Sequence, residues 1–273
     1  MSKLMLHAGG YSASLADITN VVTPRSTATH HPIPHRYLLD MVLEALAYHG
    51  YTVTRQEHAL MGKGGEDYFG VLDLSRTSPN GDFCHVLGLR NSHRMVFAGQ
   101  AALGSRVLVC DNLAFRADNA VVKFSRRHTT NIMRDFPRLC IDKIAELPGY
   151  FEDTEQQVER WKSTYLGTDP ITVRRNAADL CMTALTKGGT NGRLLPRVWQ
   201  EFNREDGPGG HNALKGNNLW SLFNAFTEVE KLSESPRESQ RRTARLSSIL
   251  DGTCRALVDA RFDDSDWTAD LPN

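Results

Sequence analysis

No stretch of this chain approaches the roughly 20 apolar residues needed to cross a bilayer, and Met1 to Gly10 has neither the basic start nor the apolar core of a secretory leader. A cytoplasmic location is expected, with no membrane partner. The five cysteines, Cys84, Cys110, Cys140, Cys181 and Cys254, are odd in number and widely scattered, with no Cys-x-x-Cys pair. That spacing argues against a disulfide framework and against a zinc ribbon, so each cysteine reads as a small apolar residue. Net charge is lacking too: 32 Lys and Arg balance 32 Asp and Glu. Any contact with nucleic acid must therefore come from a local patch, because no overall attraction to phosphate exists. No internal repeat is visible at periods of roughly 20 to 50 residues, which excludes solenoids and propellers.

What is present is an ordinary globular mixture, 40% hydrophobic and 23% charged, over 273 residues. A chain of that size buries one large core or two modest ones. Residues 1–36 carry few regular signals, and Thr23-Pro24 and His31-Pro32-Ile33-Pro34 favour extended backbone, so this segment is expected as a surface arm. From Arg36 to His49, Leu39, Val42, Leu43 and Leu46 recur at helical spacing and Gly50 supplies a stop. The period then becomes strand-like. Tyr51 to Ala59 and Tyr68 to Leu74 flank the Gly62 to Gly65 turn as a hairpin, Pro79-Asn80-Gly81-Asp82 leads into Phe83 to Leu89, and Arg106 to Cys110 and Ala120 to Phe124 add two short strands. Beyond Arg127 the pattern is helical: Asn131 to Leu147, Thr154 to Tyr165, a helix opened by Asp169-Pro170, a short one near Val198, Asn218 to Leu232, and one from Ser235 to Phe262. The fold class is α+β, with a central antiparallel sheet of about five strands. The organisation expected is an arm (1–36), an α+β core domain (37–165), a helical region (166–262) and an acidic tail (263–273).

The densest polar cluster is Arg90-Asn91-Ser92-His93-Arg94, at the end of a strand where a loop begins. Ser92 beside His93 is not a catalytic pair on that ground, since neighbours on extended backbone point to opposite faces. Asn91 and Ser92 satisfying turn backbone is the bland account. His30, His31 and His35 have no cysteine or carboxylate at ligand spacing, so no metal is expected, and no cofactor either. The glycine clusters at Gly62 to Gly65 and Gly207 to Gly210 lack the context of a phosphate loop and read as turns. From Arg116 to Lys143, seven basic residues face three aspartates. This segment suits a phosphate backbone, with Phe115 and Phe124 near enough in sequence to stack on bases; a solvated surface is the competing account. Arg237, Arg241, Arg242 and Arg245 form a second basic set, expected on one exposed side of the last helix.

Five segments carry a resemblance: Thr29-His30-His31-Pro32-Ile33-Pro34-His35, Gly88 to His93, Gly104 to Phe115, Arg127-His128-Thr129, and Asn218 to Glu228. Together they resemble a family of phage- and plasmid-like proteins carrying a domain of unknown function, over roughly residues 20 to 250. The motif residues are Asn91, Ser92, His93, Arg106, Cys110, Asp111, Asn112 and His128. The resemblance implies no established activity; it implies a setting on mobile elements, hence DNA replication, recombination or contest with host defence. Position 94 departs from the pattern, with Arg94 where the family commonly has an aspartate. That departure favours binding over chemistry at the motif.

The function expected is a non-catalytic single-stranded DNA binding or annealing protein acting as a homo-oligomer, through Arg90, Lys123, Arg126, Arg127 and Arg134. The order of helix, hairpin sheet and basic segment is similar to that of ring-forming phage annealing proteins. Two alternatives stay open. One is a module that binds a host or phage protein, with Leu219, Trp220, Phe223 and Phe226 as its apolar surface; the other is a hydrolase centred on His93 or on Asp111 near Asn112.

Overall fold

The computed structural model describes residues 10–77, 81, 83–96, 98–107, 112–115, 123–230 and 242–254, with the backbone alone at 77, 105–107, 112–115 and 123–125. The chain divides into two units, Met1–Asp153 with Lys231–Gln240 and Thr154–Glu230 with Arg241–Asn273. Among the described residues no helix is long and apolar enough to cross a membrane.

The first unit begins inside the segment expected as an extended arm. A short strand, β1 (Gly10–Ser12), is followed by α1 (Leu15–Asn20), which opens on a capping box between Ser14 and Asp17 and buries Ile18. These elements were missed because one box and one apolar residue make too short a pattern to show a period. Next comes α2 (His35–Tyr48), whose Leu38, Leu39, Val42, Ala45 and Leu46 make one buried stripe, ended by Gly50 at φ 78. The long strands β2 (Val53–Met61), β3 (Asp67–Thr77), β4 (Phe83–Ser92) and β5 (Gly99–Val107) follow, all antiparallel to their neighbours.

Two short strands, β6 (Asn112–Phe115) and β7 (Lys123–Arg126), share the far edge of β5. The sheet therefore runs β1-β2-β3-β4-β5-β6, with β7 also on β5, seven strands in all among the described residues. Where the sequence pattern places strands at Arg106 to Cys110 and Ala120 to Phe124, β5 starts earlier, at Gly99, and β7 spans Lys123–Arg126. The early part of β5 is rich in glycine and alanine, which weakens any strand signal. Small residues are needed there: a Cβ on Gly99 would lie 3.3 Å from Leu38 of α2. Two helices close the unit, α3 (Ile132–Ile144) and the start of α4 (Leu147–Ser163). Ile132, Phe136, Cys140 and Ile144 join the α2 stripe and Leu87 and Leu89 of β4 in one core. Each fully buried Leu, Ile or Phe contributes about 1.5–3 kcal/mol.

The second unit is helical: the rest of α4, then α5 (Pro170–Thr186), α6 (Leu195–Phe202), α7 (Leu219–Glu230) and a helix over 242–254. Asp169 caps α5 by accepting from the N–H groups of Ile171 and Thr172, as its place before Pro170 leads one to expect. Trp161 packs on Phe223 at 4.9 Å, and its indole N–H donates to Asp251 at 3.0 Å. Leu219, Trp220, Phe223 and Phe226 are all buried, so they build a core and offer no interface. Arg242, expected on an exposed face, makes a two-pronged contact to Glu230 at 2.9 and 3.0 Å with only 13% of its side chain exposed. Arg245 is exposed, while Arg237, Arg241 and the acidic tail lie outside the described residues.

Candidate functional site

Strand register builds the site. Pairing of β3 with β4 sets Asp67 opposite Ser92 and Tyr68 opposite Asn91, so Ser92 faces one side of the sheet while Asn91 faces the other. On Asn91's side the chain from His30 to His35 passes close by. Its anchor is the peptide group of Ile33, a residue wholly buried. The Ile33 carbonyl accepts from Asn91 Nδ2 at 3.0 Å and from His93 Nε2 at 3.0 Å, and the Ile33 N–H donates to His128 Nδ1 at 3.3 Å.

These bonds fix tautomers. A carbonyl only accepts, so neutral His93 carries its proton on Nε2 and presents a bare Nδ1. A backbone N–H only donates, so neutral His128 carries its proton on Nε2. His35 donates from Nε2 to the Gly65 carbonyl at 2.9 Å, leaving its Nδ1 to accept from Asn91 Nδ2 at 2.8 Å. His35 lies on His93, and His30 lies on His128 with centroids 5.3 Å apart and planes 15° from parallel. Burial pushes the imidazoles toward the neutral form: His35 is lowered to about 3, with His93 as a second cause, His128 to about 4, and His93 below its ordinary value. His30 Nε2, His93 Nδ1, His128 Nε2 and Asn91 Oδ1 are buried without a hydrogen-bond partner among the described residues.

On the other face Ser92 Oγ donates to Asp67 Oδ1 at 2.7 Å, and the Arg94 guanidinium pairs with the Asp67 carboxylate. The Ser92 hydroxyl is thus committed to a carboxylate, and His93 points to Ile33. No Ser-His relay exists in this arrangement. Among the described residues no group of three or more His, Cys, Asp or Glu is placed to hold a metal ion.

Beside the histidines opens a pocket of about 510 Å³, lined by Thr29, His30, Met95, Val96, Ala98, Arg127, His128 and Thr129. Met95 is 70% exposed and is held at φ 61, in the left-handed region that an unbranched side chain seldom adopts. The Arg127 side chain makes no hydrogen bond or ion pair among the described residues.

A family model described as a domain of unknown function, DUF932, matches residues 26–250. The chain belongs to the DUF932 family. No curated protein and no solved structure matches it.

Within this DUF932 domain the expected residues divide. The segments at His30 to His35, Asn91 to His93 and Arg127 to Thr129 converge, although they are remote in sequence. The expected phosphate binders are less available. Arg90 is bonded through Nε and Nη2 to Gln100 Oε1, its cross-strand neighbour, at 2.9 and 2.5 Å. Arg126 and Arg134 share the Asp135 carboxylate, whose pKa falls chiefly through the Arg134 hydrogen bond. Arg127 alone of the described set is uncommitted. Lys123, Arg106 and Asn112 are described by backbone only, as are Phe115 and Phe124; Cys110 and Asp111 lie outside the described residues. Asp67, Met95 and Val96 belong to the site without standing out in the sequence. A charge in an Asp-Tyr pair and two apolar residues in a loop carry no local signal of a site.

Proposed function

We propose that this DUF932 chain binds single-stranded nucleic acid without chemistry, as an oligomeric annealing protein serving phage or plasmid recombination. One observation carries the reading. The pocket holds an exposed arginine with no counter-charge and no carboxylate in its lining, and it adjoins a helix whose solvent face carries Arg138, with Arg134 one turn away paired to Asp135. Exposed Met133 and Ile141 interleave with those arginines on α3, an arrangement suited to a strand with phosphates on one side and bases on the other. The committed state of Ser92 and His93 supports a binding role over a hydrolytic one.

The test is anisotropy of a labelled oligonucleotide, titrated with full-length protein at about 50 and about 200 mM salt. Saturable binding that weakens with salt is expected. Absence of affinity at the lower salt would sink the proposal. Light scattering with and without the oligonucleotide checks the oligomer.

A further inference from the structure

We infer that the pocket between Met95 and Arg127 is a subsite for one nucleotide, holding an unstacked base against Met95, Val96 and the His30 ring while Arg127 takes its phosphate. The inference deepens the nucleic-acid reading and rests on it for the source of the ligand, a nucleotide within a strand.

The lining selects the ligand class. Arg127 offers guanidinium donors, Thr29 and Thr129 offer hydroxyls, and no carboxylate competes. An acceptor-rich or anionic group is therefore favoured. In the same lining Met95 and Val96 stand 70% and 53% exposed, and the Met95 backbone is strained as well. Strain without compensating burial is a feature of ligand-holding loops. The lining also holds His30, stacked on the buried His128, a ring of the kind on which bases stack. The buried Nε2 atoms of both rings lack partners among the described residues, so the pair gains a hydrogen bond by opening onto a ligand oxygen. A volume of about 510 Å³ sits within the range of small-molecule sites and accepts a single nucleotide.

The probes are thymidine 5′-monophosphate, thymidine, inorganic phosphate and a labelled oligothymidylate, each titrated against the full chain. Two variants change the pocket: Arg127→Gln removes the charge, and Thr29→Trp fills the space from an exposed position. Melting curves confirm that both fold. The monophosphate is expected to bind about tenfold tighter than thymidine or phosphate alone, and Arg127→Gln to weaken it about tenfold. Thr29→Trp should abolish monophosphate binding and weaken the oligothymidylate about tenfold, the loss expected for one base contact. Should Thr29→Trp disturb folding, Arg127→Gln decides alone. If the oligothymidylate binds wild type and both variants alike, the subsite is overturned while the nucleic-acid reading stands. If the monophosphate binds in an Arg127-dependent way and the strand binds no tighter, the pocket holds and the strand as source is overturned. If nothing binds, both fall.

Discussion

The imidazole rings of His35 and His93 lie face to face, their centroids 4.0 Å apart and their planes 7° from parallel. Two neutral rings tolerate that contact, whereas two imidazolium ions would repel across it. Burial holds each ring neutral, against the opposing pull of its hydrogen bond to a carbonyl.

The first consequence is acid sensitivity. Unfolded histidines titrate near 6.5, while folded His35 and His128 do so at about 3 and about 4. Between those limits the unfolded chain binds protons that the native state refuses. Stability therefore falls as pH is lowered from about 6.5 toward about 3, with a slope of up to about 1.4 kcal/mol per pH unit for each such histidine. Above that window these groups contribute no slope. Urea midpoints at a series of pH values check this; a flat profile between pH 7 and pH 5 contradicts it.

Asn91 is the polar keystone of the same cluster. Replacing it by alanine strands one lone pair of the Ile33 carbonyl and the Nδ1 of His35, both buried. A loss of about 2–4 kcal/mol in unfolding free energy is expected. Asn91→Asp should instead raise the His35 pKa, because a carboxylate beside Nδ1 favours the protonated ring; an NMR titration of the imidazole reads this directly.

Arg94 and Asp67 are coupled across strand and loop. The carboxylate is buried and the guanidinium side chain is 47% exposed, so solvent screens the pair in part. Arg94→Met is expected to destabilise by about 1.5–3 kcal/mol, the range for a hydrogen bond to a charged group. In the Asp67→Asn background the same change should matter less. Equal losses in both backgrounds would show that the two residues act independently.

Met95→Gly separates stability from binding. Glycine accepts φ near 61 without strain, and little apolar burial is lost at a residue 70% exposed. The unfolding free energy should hold or rise, by up to about 1 kcal/mol, as relief of the left-handed strain outweighs the extra freedom of an unfolded glycine. Oligonucleotide affinity should drop. A variant that melts lower and binds normally contradicts both halves.

Among arginines, the structure ranks the uncommitted above the paired. Arg127→Gln and Arg138→Gln should each reduce the dependence of log affinity on log salt by about 0.7 for a single-strand phosphate contact. Arg90→Gln, whose guanidinium already serves Gln100, should leave that slope unchanged and lower stability. Salt titrations of the three variants give the comparison.

Local chemistry was legible wherever a signal repeats or a cap is unambiguous. The stripe of Leu39 to Leu46, the hairpin around Gly62 to Gly65 and the Asp169-Pro170 start all appear in the structure where pattern and propensity place them. The start of β5 was hidden because Gly99 answers to the close approach of Leu38, a tertiary demand that overrides strand propensity. The motif segments were legible as words and silent as a site.

The sequence by itself determined the α+β class, the helical second half and the polar character of Asn91 to His93, because hydrophobic period and turn chemistry are properties of neighbours in the chain. Only the tertiary structure decided that Ile33 would gather Asn91, His93 and His128 across separations of 58, 60 and 95 residues. It alone decided that Arg90, Arg126 and Arg134 find partners while Arg127 does not. The reason is physical: tautomer, charge state and availability are set by what a group touches after the β3 and β4 register is fixed, and contact across a sheet leaves no trace in local spacing.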